Sequence, residues 1–336
     1  MTSNDFVISN LHAHTNVSDG TWSIEKYVLE AILQIVRGVL VQENPKDIYL
    51  GITDHDTCDA WMNLQFTQSP RLMHLVSGSG YTIIPVAISQ KNPILTLVHG
   101  IELTTSLKDD FGNSEKIHIV GLGIDAPDYD HNCVQTKLDL VNVNRTVRLK
   151  QIVAEISTRR DGIYRGLDLD WSVVSRTIGP SKSPSRLHVG QTLFEQYPSR
   201  FKSARDANEL AVNSDLSGYN FPETSLYDSS EGISIIESTL RGVSVIPHLD
   251  RLVSDVSKFG GEEKLVERLV RLGVSGIEIV NSNCLGYAER FDLIPVYGCD
   301  SHGAFDTAEK IKRCFKIVQP KSGLAYLMDE IDKKKN

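Results

Sequence analysis

Histidine and carboxylate recur in this chain at spacings that suit metal coordination: His12-Ala13-His14, Asp19, Asp54-His55-Asp56, Glu102, His118, His248 and Asp300-Ser301-His302. Two histidines separated by one residue on extended backbone project their imidazoles to the same side. Such a pair suits a divalent cation, and Asp19 offers a hard oxygen close by. In isolation the pair serves equally well as one strand-capping histidine and one solvated histidine. Histidine mixed with carboxylate and no thiolate matches catalytic Zn, Mn or Fe better than a closed structural zinc site, which tends to use cysteine. The donors outnumber the roughly four that one ion takes, which implies two or three ions.

The elements expected to carry these residues are strands. Phe6–Leu11 is an apolar run without a helix breaker, and His12 and His14 sit just past its end. Ser23 can cap a helix in which Ile24, Tyr27, Val28, Ala31, Ile32, Ile35 and Val36 recur at three- and four-residue steps, with Gly38 as its stop. Ile48–Ile52 then runs into Thr53-Asp54-His55-Asp56. Tyr81–Ile88 and Ile94–Val98 read as a hairpin about Gln90–Pro93, and the second segment leads into Gly100-Ile101-Glu102. Ile117–Ile124 holds His118 inside a strand, and Val243–Ile246 ends at His248. Gly276–Val280 is a further strand, and Ile294–Gly298 delivers Cys299-Asp300-Ser301-His302. His74 and His99 have no such context and are expected to be structural.

Between about Asn132 and Ser230 the alternation stops. Val141–Ile156 is helical in pattern, with Arg145, Arg148 and Lys150 read as its solvated face. The polar stretch Gly179–Ser185 follows, then Arg186-Leu187-His188. The recurring unit of strand, ligand and helix predicts an α/β fold: a distorted (β/α)7 TIM-like barrel with a mostly helical insertion. Residues 1–131 are expected to form the first part of the barrel, 132–230 the insertion over its mouth, and 231–336 the second part.

A net charge of −8 over 336 residues argues against general affinity for nucleic-acid backbone or anionic membrane. The first residues lack the basic start and apolar core of a secretory signal, and no run approaches a membrane span, so a cytoplasmic location is the expectation. The five cysteines are scattered without Cys-x-x-Cys spacing, which predicts reduced thiols, with Cys299 structural.

With these motifs in order from position 11 to 302, the chain resembles the PHP family, named for polymerase and histidinol phosphatase. The resemblance implies a distorted seven-stranded barrel holding up to three divalent ions of Mn, Fe or Zn. It also implies that His12, His14, Glu102 and Asp300 surround one ion, that Glu102 bridges to a second held by His118 and His248, and that Asp19, His55 and His302 take the third. Within the family the chain looks most like stand-alone phosphoesterases acting on nucleoside 3',5'-bisphosphates and short oligonucleotide ends. Those carry Arg-Pro-His and His-Pro-x-Arg motifs, for which this chain has Arg186-Leu187-His188 and His248-Leu249-Asp250-Arg251, with leucine in place of both prolines.

The activity so implied is phosphomonoester hydrolysis by attack of a metal-bridging hydroxide. Arg186 and Arg251 would grip phosphate, and His188 would bind phosphate or protonate the leaving group. The expected partner is a small phosphorylated substrate, a nucleotide or short oligonucleotide, with no long nucleic acid and no membrane. The rival readings are a histidinol-phosphate-type phosphatase, a 5'-to-3' exonuclease and, from a different class, a non-catalytic metal-binding module.

Overall fold

Where the sequence predicts Phe6–Leu11 and Ile48–Ile52 as strands joined by a helix, β1 (Phe6–Asn10), α1 (Ile24–Leu40) and β2 (Ile48–Ile52) form a strand–helix–strand unit. The structure is a computed structural model describing residues 6–40, 47–62, 76–77, 80–85, 94–125, 132–213, 215–216, 227–253, 255–303, 306, 310, 315 and 317–335. β1 and β2 are parallel, with Ile8 opposite Ile48 and Asn10 opposite Leu50. Ile24, Tyr27, Val28 and Ala31 of α1 pack in one cluster with Ile48, Leu50 and Ile52. The helix runs past Gly38, since one interior glycine costs only about 1 kcal/mol and no proline stands there to stop it.

After β2 and the short helix α2 (Asp59–Met62), the hairpin expected before Glu102 is formed by β4 (Tyr81–Pro85) and β5 (Ile94–Lys108), antiparallel, with β3 (Val76–Ser77) pairing β4. The expected turn at Gln90–Pro93 lies outside the described residues, as does His74. β5 is one strand of 15 residues that joins two segments of the sequence pattern. Its first part pairs in parallel with β2, Ile52 opposite His99. Its second part pairs antiparallel with β6 (Ser114–Leu122).

The structure is compatible with the expected distorted TIM-like barrel and departs from a closed one in two ways. First, β6 is antiparallel to both β5 and β7 (Val243–Ile246). The β5–β6 connection is a tight turn in which the Asp109 carboxylate accepts from the backbone N–H groups of Phe111 and Asn113 at 2.8 Å each, and so short a link can only reverse the chain. Second, the sheet curls without closing. Its order is β10-β1-β2-β5-β6-β7-β8-β9, with β8 (Gly276–Glu278) and β9 (Ile294–Val296) parallel to β7. β10 (Val318–Pro320) lies antiparallel on the free edge of β1, Phe6 opposite Pro320. It takes the edge that β9 would need, and the end of β1 and the chain beyond it meet the segment beyond β9 through Cys299 N–H to Asn10 Oδ1 at 3.1 Å, Leu11 N–H to Tyr297 O at 2.9 Å and His14 N–H to Ser301 O at 2.7 Å. The result is a mixed α/β fold built on a curled half-barrel.

Val7, Val98, Val120, Val245 and Val296 from the strands meet Leu324, Leu327 and Ile331 of the C-terminal helix (Lys321–Lys335) in one cluster. Between β6 and β7 come α3 (Asn132–Thr158), α4 (Trp171–Ile178), α5 (Arg186–Gln196) and α6 (Ala204–Ala211). These have a core of their own, in which Leu149, Ile152, Val174, Val189, Leu193 and Leu210 pack together. Asp170, Ser185 and Ser203 cap three of these helices with side-chain oxygens.

His99 accordingly sits between Trp61, at a ring distance of 4.3 Å, and Thr82, at 3.1 Å. Burial, assisted by Lys335 and opposed by Asp125, pushes its pKa down to about 4. Cys58 and Cys284 are buried and form no disulfide, whereas Cys299 is disulfide-bonded. This corrects the expectation of reduced thiols throughout, because spacing carries no information about which cysteines meet in space. No helix among the described residues is long and apolar enough to cross a membrane.

Candidate metal centre

The predicted donors meet where strands end. Short parallel bridges continue the strand pairing past its regular limits, Ala13 beside Ser301 and His55 beside Glu102. The first sets His12 and His14 against Asp300 and His302. The second brings the chain after β2 to the middle of β5. Asp54 is no donor here but a staple: its carboxylate accepts from Thr15 N–H at 2.7 Å, Thr15 Oγ1 at 2.7 Å and Ser18 Oγ at 2.5 Å, fixing the loop after His14. Gly20 is required in that loop, since a Cβ there would lie 2.0 Å from the His14 carbonyl oxygen. Asp56 and Asp300 both hold positive φ, 48° and 49°, local strain of the kind that accumulates at functional sites.

Four donor atoms outline a first position. His12 Nε2 and His14 Nε2 are 3.2 Å apart, Glu102 Oε2 lies 3.3 Å and 3.1 Å from them, and Asp300 Oδ1 lies 3.7 Å and 3.2 Å from them. A tetrahedral ion with bonds of about 2.0–2.1 Å requires edges of about 3.3–3.4 Å, and these distances cluster around that value. Around Glu102 Oε1 stand His118 Nδ1 at 2.8 Å and His248 Nε2 at 3.1 Å, with His55 Nδ1 3.2 Å from Oε2. A further group gathers on Asp19: His302 Nε2 at 3.4 Å, His55 Nε2 at 3.8 Å and His14 Nδ1 at 4.0 Å. All nine sequence-predicted donors thus converge, with Glu102 central, His14 shared between the first and the Asp19 groups, and His55 between the other two.

The donor set fits divalent ions by its hydrogen bonding and its charge. Buried away from water, His14 Nδ1, Asp19 Oδ1, His55 Nδ1, His118 Nε2 and His248 Nδ1 have no hydrogen-bond partner. Buried polar atoms are otherwise almost always satisfied. Burial opposes ionisation of Glu102, yet His55, His118 and His12 hold its pKa well below the usual range. Asp19 is lowered likewise by His55 and His302, and Asp300 by His302 and His14, again against burial. Burial pushes His55 and His118 down, toward the neutral form, whereas facing carboxylates outweigh burial and hold His12, His14 and His248 up, so that an ion bound there displaces their protons. Ionised carboxylate and neutral imidazole are the forms that coordinate.

Sequence reading missed Glu278. It is 2 % exposed at the end of β8, where its Oε2 lies 3.1 Å from His12 Nδ1 and accepts the His248 backbone N–H at 2.9 Å. Burial lowers the His12 pKa, but Glu278 and Glu102 more than offset this and hold it at about 10. A carboxylate on the far nitrogen fixes tautomer and ring direction. The only sequence signal was a glutamate interrupting the apolar run Gly276–Val280. Glu278→Ala is expected to weaken metal binding by about 10–100-fold, the usual cost of losing such a partner, measured by competition with a chromophoric chelator. Unchanged affinity would remove this role.

The remaining predicted residues flank the centre. Arg251 is half-exposed and its Nη1 donates to Asp300 Oδ2 at 2.9 Å. His188 is buried, its Nδ1 accepts the Ser185 N–H at 3.0 Å in a capping box, and burial lowers its pKa against the pull of Asp19. Arg186, the first residue of α5, lines a cavity with Asp19, His55 and His118. Arg145 and Arg148 are 8 % and 6 % exposed and line the same cavity, which corrects their assignment to a solvated face. Lys150 does lie exposed. The reason is where α3 runs: Val134 and Leu138 pack into the core around the sheet, Leu149 and Ile152 into the helical core, and the two arginines fall on the same buried stripe at the gap between them.

No family model matches the chain, and no curated protein matches it in sequence. Among solved structures it is similar to a "putative metal-dependent phosphoesterase" from Bifidobacterium adolescentis, with a TM-score of 0.59 and 19 % identity over 91 % of this chain and 94 % of that one. At that identity the likeness is one of fold, and it extends over nearly the whole of both chains.

Proposed function

We propose that this chain is a metal-dependent phosphoesterase that hydrolyses a phosphomonoester, that of a nucleoside 3',5'-bisphosphate or a short oligonucleotide end. The observation that carries the proposal is the convergence of nine histidine and carboxylate donors, spaced for metal coordination, beside a cavity walled by arginines. The fold shared with a protein described as a metal-dependent phosphoesterase supports it. Bound divalent ions supply two things to such a reaction: they lower the pKa of water from 15.7 to about 7 and neutralise phosphoryl oxygens.

The chain's own residues supply the rest. Arg186 presents a planar fork to phosphoryl oxygens at the Asp19 edge of the centre. His188, held by Ser185 at the start of α5 and near Asp19, binds phosphate or gives a proton to the leaving oxygen. Arg251 steadies Asp300 from the rim and leaves its remaining N–H groups for the substrate. Helix α3 brings Arg145 and Arg148 to the cavity and α5 brings Arg186.

The test is a panel of phosphate esters assayed with Mn²⁺, with His14→Ala as the control. Bisphosphates and short oligonucleotide ends are expected to turn over fastest, and the substitution to reduce kcat/KM by about three orders of magnitude. Turnover that survives His14→Ala would sink the metal mechanism, and bound metal without turnover of any ester would leave a binding module instead.

A further inference from the structure

The stretch Asp300-Ser301-His302 supplies donors to two different groups, Asp300 to the first position and His302 to the group on Asp19. It lies beyond β9, outside every helix and strand of the sheet, with Ser301 bridged to Ala13. Asp300 and Gly303 hold φ at 49° and 68°, and a Cβ at Gly303 would stand 2.6 Å from Thr21 Oγ1 and 2.8 Å from Trp22 Cδ1. Left-handed backbone is unfavourable for a residue that carries a Cβ, as Asp300 does. A site of this kind needs its side chains held to within about 0.5 Å of the working geometry, which an irregular segment does not achieve unaided.

Three side chains hold it, bonding its backbone and Ser301 rather than its donor atoms. Asp306 is 8 % exposed, and its backbone N–H donates to the Gly303 carbonyl oxygen at 3.0 Å, turning the chain back on the segment. Its Oδ2 accepts the His302 backbone N–H at 2.7 Å and the Ser301 hydroxyl at 3.1 Å. Its Oδ1 pairs with Lys310 Nζ at 2.8 Å, and the same ammonium donates to the Asp300 carbonyl oxygen. Tyr27 of α1, fully buried, donates its hydroxyl to the Ser301 carbonyl oxygen at 3.1 Å and lies at the same distance from Ser301 Oγ. A carboxylate removed from water is costly unless it is paired. Here both oxygens are, one by donors of the ligand segment and one by Lys310, so each of Asp300, Ser301 and His302 is tied to this set by at least one bond.

We propose that Asp306, supported by Lys310 and Tyr27, is a positioning residue that sets Asp300 and His302 together, so that the first position and the Asp19 position gain or lose their ions as a pair. Asp300 and His302 flank Ser301, and a shift of the backbone there displaces both donors at once. His118 and His248, which face Glu102 Oε1, are carried by β6 and by the chain just past β7, and they do not depend on that segment. The inference rests on reading the donors as a metal centre and is independent of which ester is hydrolysed.

The experiment is Zn²⁺ uptake by the full chain and three variants, Asp306→Ala, Asp306→Asn and Tyr27→Phe, in competition with a chromophoric chelator and with bound metal counted by elemental analysis. Asp306→Ala is expected to weaken binding at two positions by about 10–100-fold, the cost of losing an outer support of a metal site, and to leave the ion of Glu102, His118 and His248 at wild-type affinity. Asp306→Asn keeps an oxygen where Oδ2 accepts from His302 and Ser301, and should restore most of that loss. Tyr27→Phe keeps the buried ring and removes one hydroxyl, for a loss of about 2–10-fold at the same two positions. Denaturant unfolding of each protein in EDTA separates site from fold. A merely structural Asp306 would lower the unfolding midpoint and weaken every position alike, with no rescue by Asn. That result, unchanged affinity in Asp306→Ala, or loss of one of the two positions without the other would overturn the proposal. A wild-type chain that takes up no Zn²⁺ would fail the metal reading itself, and the proposal with it.

Discussion

Glu102→Gln is expected to empty most of the metal centre and lower kcat/KM on any phosphomonoester by about three orders of magnitude or more, the scale of losing a preorganised electrostatic group. Glu102 is fully buried, and its two oxygens address separate groups: Oε2 faces His12, His14 and His55 at 3.1–3.3 Å, Oε1 faces His118 and His248 at 2.8 and 3.1 Å. Gln keeps the shape but replaces one oxygen by an NH2 group that cannot ligate and removes the charge that balances the cations. Metal content by elemental analysis should therefore fall along with activity. Full metal content with lost activity would move Glu102 from ligation to a direct role in the reaction, and unchanged activity would dismiss the assigned centre.

Arg145→Ala is expected to cost about 3–5 kcal/mol of stability, the range for breaking a buried ion pair from one side. Its partner Asp56 is fully buried, at positive φ, and already accepts Thr104 N–H and Oγ1 at 2.7 Å each. Removing the guanidinium leaves a carboxylate without its counter-charge at the junction of α3 and the strand ends. Asp56→Asn keeps a side chain that tolerates left-handed backbone, so the double variant should cost less than the two single losses added together. Denaturant unfolding of all four proteins in the cycle measures the coupling. Strict additivity would show that the pair contributes nothing beyond its separate contacts.

Much of the site was legible because its signals are local. An apolar run followed by a histidine or carboxylate marks a strand end at Leu11, Ile52 and Ile246, and the structure ends strands at Asn10, Ile52 and Ile246. Glu102 proved to lie inside the long strand β5 rather than past its end, while His118 lies inside β6, as its sequence context indicated. They belong to the centre because the sheet curls. Arg145 and Arg148 were misread because charge was weighed before periodicity. The stripe Val134, Leu138, Val141, Arg145, Arg148, Ile152 steps by three and four residues, and every member is buried. Glu278 and the disulfide at Cys299 had no local signature.

By itself the sequence determined which residues can ligate, their order and the strands that present them, since residue chemistry and the period of a strand or helix are properties of neighbouring positions. Only the tertiary structure decided which donors share a position, that β10 takes the edge of β1 and leaves the sheet open, and that two arginines of α3 turn inward. Those outcomes rest on contacts between distant parts of the chain: His12 meets Glu102 across 90 residues and Glu278 across 266. Such pairings follow from how the sheet curls and where two cores adjoin, and a packed arrangement of that kind is not encoded in any one segment.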